Sequence, residues 1–219
     1  MARTMIVSTN QMIDRWTSQI KLGKHEIDME KEIIATAGEI IAKTSFGMED
    51  ENAREVLHKL RALQMTLFNT NRYVGVPFGK YFNVKKNLEA EKLGKEIDKI
   101  LLSVVEARKK SLKNNSKQDL LSLLLKENSD VRLSQSAKTL TTGEVVDECK
   151  TFFFGGHETT ALAITWTLLL LATHEDWQNQ LREEIKEVVG NNELDITMLA
   201  GLKKVNLKSL YILVTDTHT

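Results

Sequence analysis

The residues best suited to chemistry lie in one stretch, Phe152-Phe153-Phe154-Gly155-Gly156-His157-Glu158-Thr159-Thr160. Apolar periodicity puts this stretch inside the longest helix that the sequence predicts, where each glycine costs about 1 kcal/mol relative to alanine. Thr159 and Thr160 are poor helix formers whose hydroxyls can bond back to the preceding turn and bend it. Glu158 adds a carboxylate to an otherwise apolar run. Strain, missing side-chain volume and an acid thus coincide within Gly155–Thr160, a local inconsistency of the kind expected at functional sites. The two glycines leave room against the helix for a flat cofactor and a diatomic ligand. A weakened backbone ladder can admit a water or an oxygen molecule. A threonine hydroxyl beside the gap can hold that water, and the neighbouring acid can relay protons to it. The same residues also suit close helix packing at the glycines, with Glu158 paired to a base, and by themselves they leave both readings open.

Other chemistries fail on spacing. A His-Glu-x-x-His zinc helix starting at His157 needs a second histidine at 161, which is Ala161. There is no phosphate-binding glycine loop ending in Gly-Lys-Ser/Thr, and no Gly-x-Ser-x-Gly elbow. His25, His58, His174 and His218 are scattered singly, as surface or packing residues are. The single cysteine, Cys149, excludes an intramolecular disulfide framework and a multi-cysteine zinc site. It reads as a buried structural thiol and not as a metal ligand. Thirty basic residues balance thirty acidic ones, so nothing in the charge calls for a nucleic-acid partner.

The elements that must carry these residues are helical. One proline in 219 residues leaves long helices unbroken. Ile33, Ala37, Ile40, Ile41 and Thr44 share a face of a helix that Phe46-Gly47 closes, and Val56, Leu60, Leu63 and Leu67 share a face of the next. After a loop with Gly75, Pro77 and Gly79 comes a long amphipathic helix with Leu93, Ile97, Ile100, Leu101, Val104 and Val105 inward. Its charged side includes Glu91 and Lys95 at the supporting i, i+4 spacing. Asp119–Leu125 predicts a short buried helix and residues 127–140 a polar loop without periodicity. Thr141 and Glu144 have capping-box spacing. They open a helix that can run to Thr173, ~48 Å at ~1.5 Å per residue. Its segment from Phe152 to Thr173 has the length of a membrane span. Glu158 would be costly in lipid, so a helix buried in protein is expected. A further helix near Asp176–Val189 meets Gly190, a favoured stop. The opening stretch, Met1–Trp16, is too polar for a secretory signal.

Gly155-Gly156-His157-Glu158-Thr159-Thr160 resembles the oxygen-activating motif of the cytochrome P450 family, in which Ala or Gly, Gly, any residue, an acid and two hydroxyl residues lie on the long central helix. The flanks agree: Asp147–Phe154 before it, Thr165–Ala172 after it, then Trp177-Gln178 and Leu181–Ile185. Asp119–Leu125 resembles the helix two segments earlier. The resemblance is nearest to plant enzymes that hydroxylate hormones and isoprenoid-derived compounds. It implies an all-α chain that forms part of the P450 fold, with residues 1–204 as partial domain and 205–219 as a divergent tail. It further implies a haem cofactor, a small lipophilic substrate, a reductase partner using NADPH, and the cytosolic face of the endoplasmic reticulum membrane for the parent protein. Gly155 and Gly156 would face haem and oxygen, Glu158 and Thr159 would deliver protons, and Thr160 would support them. Phe152, Phe153 and Phe154 would lie toward the substrate, and Leu67–Tyr81 in the family's access region.

The family ligates haem iron through a cysteine loop nearer its C-terminus, and thiolate ligation favours oxygen-bond cleavage. Cys149 lies before the motif on the same helix and lacks that loop's Phe, Gly and Arg context. The family's Glu-x-x-Arg helix is expected after Leu202-Lys203-Lys204, where this chain reads Val205-Asn206-Leu207-Lys208. The resemblance therefore implies an internal fragment of a haem-dependent monooxygenase. The alternative is a catalytically inactive helical remnant with at most a binding role.

Overall fold

The computed structural model describes residues 2–48, 50–70, 84–111, 119–133, 139–190, 192 and 194–204, and every regular element among them is helical. In chain order these are α1 (Ala2–Lys21), α2 (Met29–Phe46), α3 (Asp50–Thr70), α4 (Val84–Ser111), α5 (Leu120–Leu133), α6 (Thr142–Thr173), α7 (Glu175–Val188) and the single turn α8 (Ile196–Leu199). The expected loop with Gly75, Pro77 and Gly79, most of Leu67–Tyr81 and the tail 205–219 lie outside the described residues. Two compact units divide the chain: Ile41–Gly156, and Met1–Ile40 with His157–Thr219.

In the unit Ile41–Gly156 the core is assembled from one face of each helix. α3 contributes Ala53, Val56 and Leu60, α4 contributes Ile97, Leu101 and Val105, and α5 contributes Leu121 and Leu125. Periodicity picks all of these on α3 and α4 except Ala53; of its other positions Leu63, Leu93, Ile100 and Val104 are half-buried and Leu67, at the far end of α3, is exposed. Lys59 and Glu96 join α3 to α4 at 2.5 Å, and the Glu91–Lys95 pair forms at 2.7 Å on the solvated side. Arg108 of α4 ties three elements together. Its guanidinium pairs with Asp119, donates to Ser122 Oγ at 2.9 Å and to the Phe46 carbonyl at 3.0 Å. Asp119 is also the N-cap of α5, accepting from the Ser122 N–H at 2.9 Å. α2 ends at Gly47, whose φ of +55° is the left-handed conformation glycine adopts without strain. A side chain there would also collide with Arg108 and Asp119, 2.5 and 2.9 Å from its Cβ.

Two expectations need correction. The helix after Asp119 does not stop near Leu125 but runs to Leu133. Its second half lacks apolar periodicity, yet Lys126–Leu133 contains no glycine or proline to break it. Asn128 holds it in place, donating from Nδ2 to the Leu140 carbonyl at 2.9 Å and accepting the Leu140 N–H at 2.7 Å. On α2 the buried stripe is not the predicted one. Ile33 is buried, but Ala37, Ile40, Ile41 and Thr44 are only half-buried, while Thr36, Glu39, Ala42, Ser45 and Phe46 are enclosed. Periodicity assumes one inward face, whereas the enclosed positions of α2 go more than halfway round it.

In the unit Met1–Ile40 with His157–Thr219, Arg15 of α1 reaches Glu32 at 3.4 Å and Thr36 Oγ1 at 3.3 Å. α7 stops at Gly190, φ +60°, whose N–H donates to the Lys186 carbonyl. The buried Glu184 of α7 accepts the Lys204 N–H at 2.6 Å and so pins the following chain. Among the described residues no helix is long and apolar enough to cross a membrane.

Candidate functional site on the long helix

α6 begins with the reciprocal bonds of a capping box: the Thr141 N–H donates to Glu144 Oε2 at 2.7 Å, and the Glu144 N–H to Thr141 Oγ1 at 3.2 Å. From there the helix is unbroken to Thr173. The weakened ladder expected at the two glycines is not seen as an interruption. The cost of two glycines is met by the flanking turns, whose Val145, Val146, Cys149 and Phe153 are anchored in the core.

Anchoring also sets the orientation of the candidate residues. Phe153 is fully buried, and its ring stacks on Phe46 of α2 at 4.5 Å between centroids and 9° between planes. Phe152 and Phe154, its neighbours, are exposed. The three rings are thus not equivalent: one belongs to the core, two do not. The glycines divide in the same way. A Cβ on Gly156 would lie 2.9 Å from Ile41 Cδ1, whereas a Cβ on Gly155 would meet nothing within 4 Å. Gly156 admits a neighbouring side chain, and Gly155 leaves an opening. Phe152, Gly155 and Thr159 follow at intervals of three and four and so lie along one side of α6, where all three are exposed. Phe154 and Glu158 form a second row, with Glu158 half-buried. Thr160 is exposed and His157 is buried. Back-bonding to the preceding turn is seen at Thr151, Thr165 and Thr167, which donate to the carbonyls of Asp147, Ala161 and Ala163.

Cys149 is enclosed, and burial, reinforced by the Glu148 charge, pushes its thiol up to about 12. A thiol so hard to ionise is a poor metal ligand and nucleophile. No cluster of three or more His, Cys, Asp or Glu fit to hold a metal ion occurs among the described residues.

Sequence patterns did not find the braces of this site. Asp119 and Ser122 have N-cap spacing, a usable signal, but Arg108 belongs to another helix and carries no mark of its partners. Ile41 was legible only as an apolar position, since nothing in the sequence says that it faces Gly156.

A helical unit organised on one long helix with this glycine, acid and threonine order defines a class, and the comparisons agree. The cytochrome P450 family model matches residues 1–206, and the chain belongs to that family. It is 34% identical over 217 residues to a cytokinin hydroxylase of Arabidopsis thaliana, covering 95% of this chain and 42% of that protein. It is 31% identical over 204 residues to secologanin synthase 1 of Catharanthus roseus, covering 90% and 39%. Among solved structures, a zebra fish cytochrome P450 with progesterone superposes with a TM-score of 0.79 at 18% identity, covering 97% of this chain and 48% of that one. The heme domain of cytochrome P450DA gives 0.75 at 14%, covering 96% and 44%. The fold is therefore all-α and part of the P450 fold, and the chain spans less than half the length of these relatives.

Proposed function

We propose that this chain supplies the oxygen-activating helix of a haem-dependent monooxygenase that hydroxylates a small lipophilic substrate, isoprenoid or hormone-like. The observation that carries the reading is the exposed row of Phe152, Gly155 and Thr159, with open space at Gly155. That opening fits a flat macrocycle against the helix. Cys149 does not fit as the iron's ligand, because it is buried in the core and its thiol resists ionisation. Haem, when bound, supplies the iron centre at which molecular oxygen is activated. Around it, Gly155 gives room, and Gly156 keeps the helix close to its neighbour. With haem bound, Thr159 Oγ1 would hold a proton on the side of the oxygen, the half-buried Glu158 carboxyl group would pass protons on to it, and Thr160 would support the pair. Phe152 and Phe154 are the rings available to a substrate, since Phe153 is engaged with Phe46.

In the whole protein electrons come from a reductase using NADPH, at the cytosolic face of the endoplasmic reticulum membrane. The names of the plant relatives, a cytokinin hydroxylase and a secologanin synthase, support a hormone-like or isoprenoid substrate class. Residues 1–204 form the family part and 205–219 a divergent tail. The competing reading, a helical remnant without catalysis, draws support from the exposed apolar residues of α6 beyond the motif, Leu162, Trp166 and Leu169. Haem titration separates the two. The chain by itself is expected to give no carbonyl spectrum of thiolate-ligated haem, and a normal Soret shift would overturn the exclusion of Cys149. If the chain shows no saturable haem binding of any kind, the remnant reading wins.

A further inference from the structure

Two contacts from one helix meet α6 immediately before the acid and threonine pair. Phe46 of α2 stacks on Phe153. Ile41, also on α2, sits where a Gly156 side chain would be, with its Cδ1 2.9 Å and its Cγ1 3.4 Å from that Cβ position. Phe153 and Gly156 are three residues apart and face the same way, so α2 touches α6 at two successive turns. A methyl on Gly156 would press on the end of the half-buried Ile41 side chain, which would have to turn aside to admit it. α2 is itself held from behind, because Arg108 binds the Phe46 carbonyl while paired with Asp119. At this turn α2 meets α6 through Ile41 seated on the bare backbone of Gly156.

We propose that Ile41 is a positioning residue for the oxygen-activating segment: by filling the notch at Gly156 it fixes the stretch of α6 backbone that carries Glu158 and Thr159. The functional meaning rests on the reading of Gly155–Thr160 given above, but the positioning is testable without haem. Amide hydrogen exchange of the 219-residue chain reports it, with Gly155–Thr160 as the segment and the buried turns around Val56–Leu60 and Ile97–Leu101 as internal references. Ile41→Val removes Cδ1 and no hydrogen bond. It is expected to speed exchange in the segment by about 2-fold, the low end of Ile-to-Val losses because Ile41 is half-buried, with the references unchanged. Gly156→Ala is expected to loosen the segment as well. Combined with Ile41→Val, which makes room for the new methyl, it should be at least about twofold less harmful than alone. Unchanged exchange in the segment, equal acceleration at the reference turns, or strictly additive effects would each overturn the proposal. Should Gly156→Ala not fold, Ile41→Val decides by itself. Failure to bind haem would sink the proposed function and leave this result standing, whereas additive exchange would do the reverse.

Discussion

The two halves of α6 obey different rules. From Thr142 to Gly156 the helix mixes charged and apolar residues, and one side is engaged: Val145, Val146, Cys149 and Phe153 are buried in that unit's core, while Phe152 and Phe154 are exposed. From His157 to Thr173 it is far more apolar, yet Leu162, Trp166 and Leu169 on one side and Ile164 and Leu168 on another are exposed. Hydrophobicity along the chain does not report burial; the presence of a partner surface does. Among the described residues no helix is long and apolar enough to cross a membrane, and within this chain the second half of α6 has more apolar surface than its neighbours cover. Along α6 the candidate residues divide in the same way: Phe153 and Gly156 are in contact with α2, and Gly155 and Thr159 are exposed.

The largest effect should come from the anchored half. Phe153→Ala removes a fully buried ring and its stack on Phe46, and is expected to cost about 3–5 kcal/mol in urea unfolding. Leu169→Ala, the same kind of truncation at a residue 54% exposed, should change stability by less than ~0.5 kcal/mol. Equal costs would erase the contrast between the halves. Arg108→Ala comes next. It leaves the Asp119 carboxylate enclosed without its cation and frees the Phe46 carbonyl, at a cost of roughly 3 kcal/mol. If urea midpoints show less than about 1 kcal/mol, the clamp on α2 is not what holds it.

Those two sites also mark what a sequence discloses. The capping box at Thr141 and Glu144, the end of α6 at Thr173, the closing glycines at 47 and 190 and the inward faces of α3 and α4 were all legible, because each depends on residues within a few turns. The Gly155–Thr160 segment was legible as an inconsistency in an otherwise regular pattern. Arg108 reaching Phe46, Ile41 opposite Gly156 and the single buried ring among three phenylalanines were not, because each is decided by which helix arrives alongside. The extension of α5 to Leu133 is not legible in periodicity or propensity, because Asn128, Ser129 and Asp130 are weak helix formers; the tie of Asn128 to Leu140, twelve residues on, accompanies it.

A smaller effect tests the start of the anchored half. Thr141→Ala removes the acceptor for the Glu144 N–H, and about 1 kcal/mol is expected, measured as loss of thermal stability. Ser in its place should restore most of that, since the hydroxyl and not the methyl does the capping. No recovery with Ser would mean that the methyl contact, not the cap, sets the start of α6.

The smallest stability effect and the sharpest test of the open half belong to Trp166. Its ring is 51% exposed, in line with Leu162 and Leu169 on the same side of α6. Replacing it by serine should shift the unfolding free energy by no more than ~0.5 kcal/mol, because about half of the residue stays in water and its loss opens no enclosed cavity. Association is where the change should register, since contiguous exposed apolar surface drives it. Sedimentation across a concentration series is expected to show self-association of the chain that weakens with Trp166→Ser and again with Leu169→Ala, while Thr159→Ala, polar and on the same helix, leaves it unchanged. An equal weakening by Thr159→Ala would place the contact on the candidate site itself and make the two halves of α6 one surface. A chain that stays monomeric throughout would mean that the exposed residues of the second half do not act together as a patch.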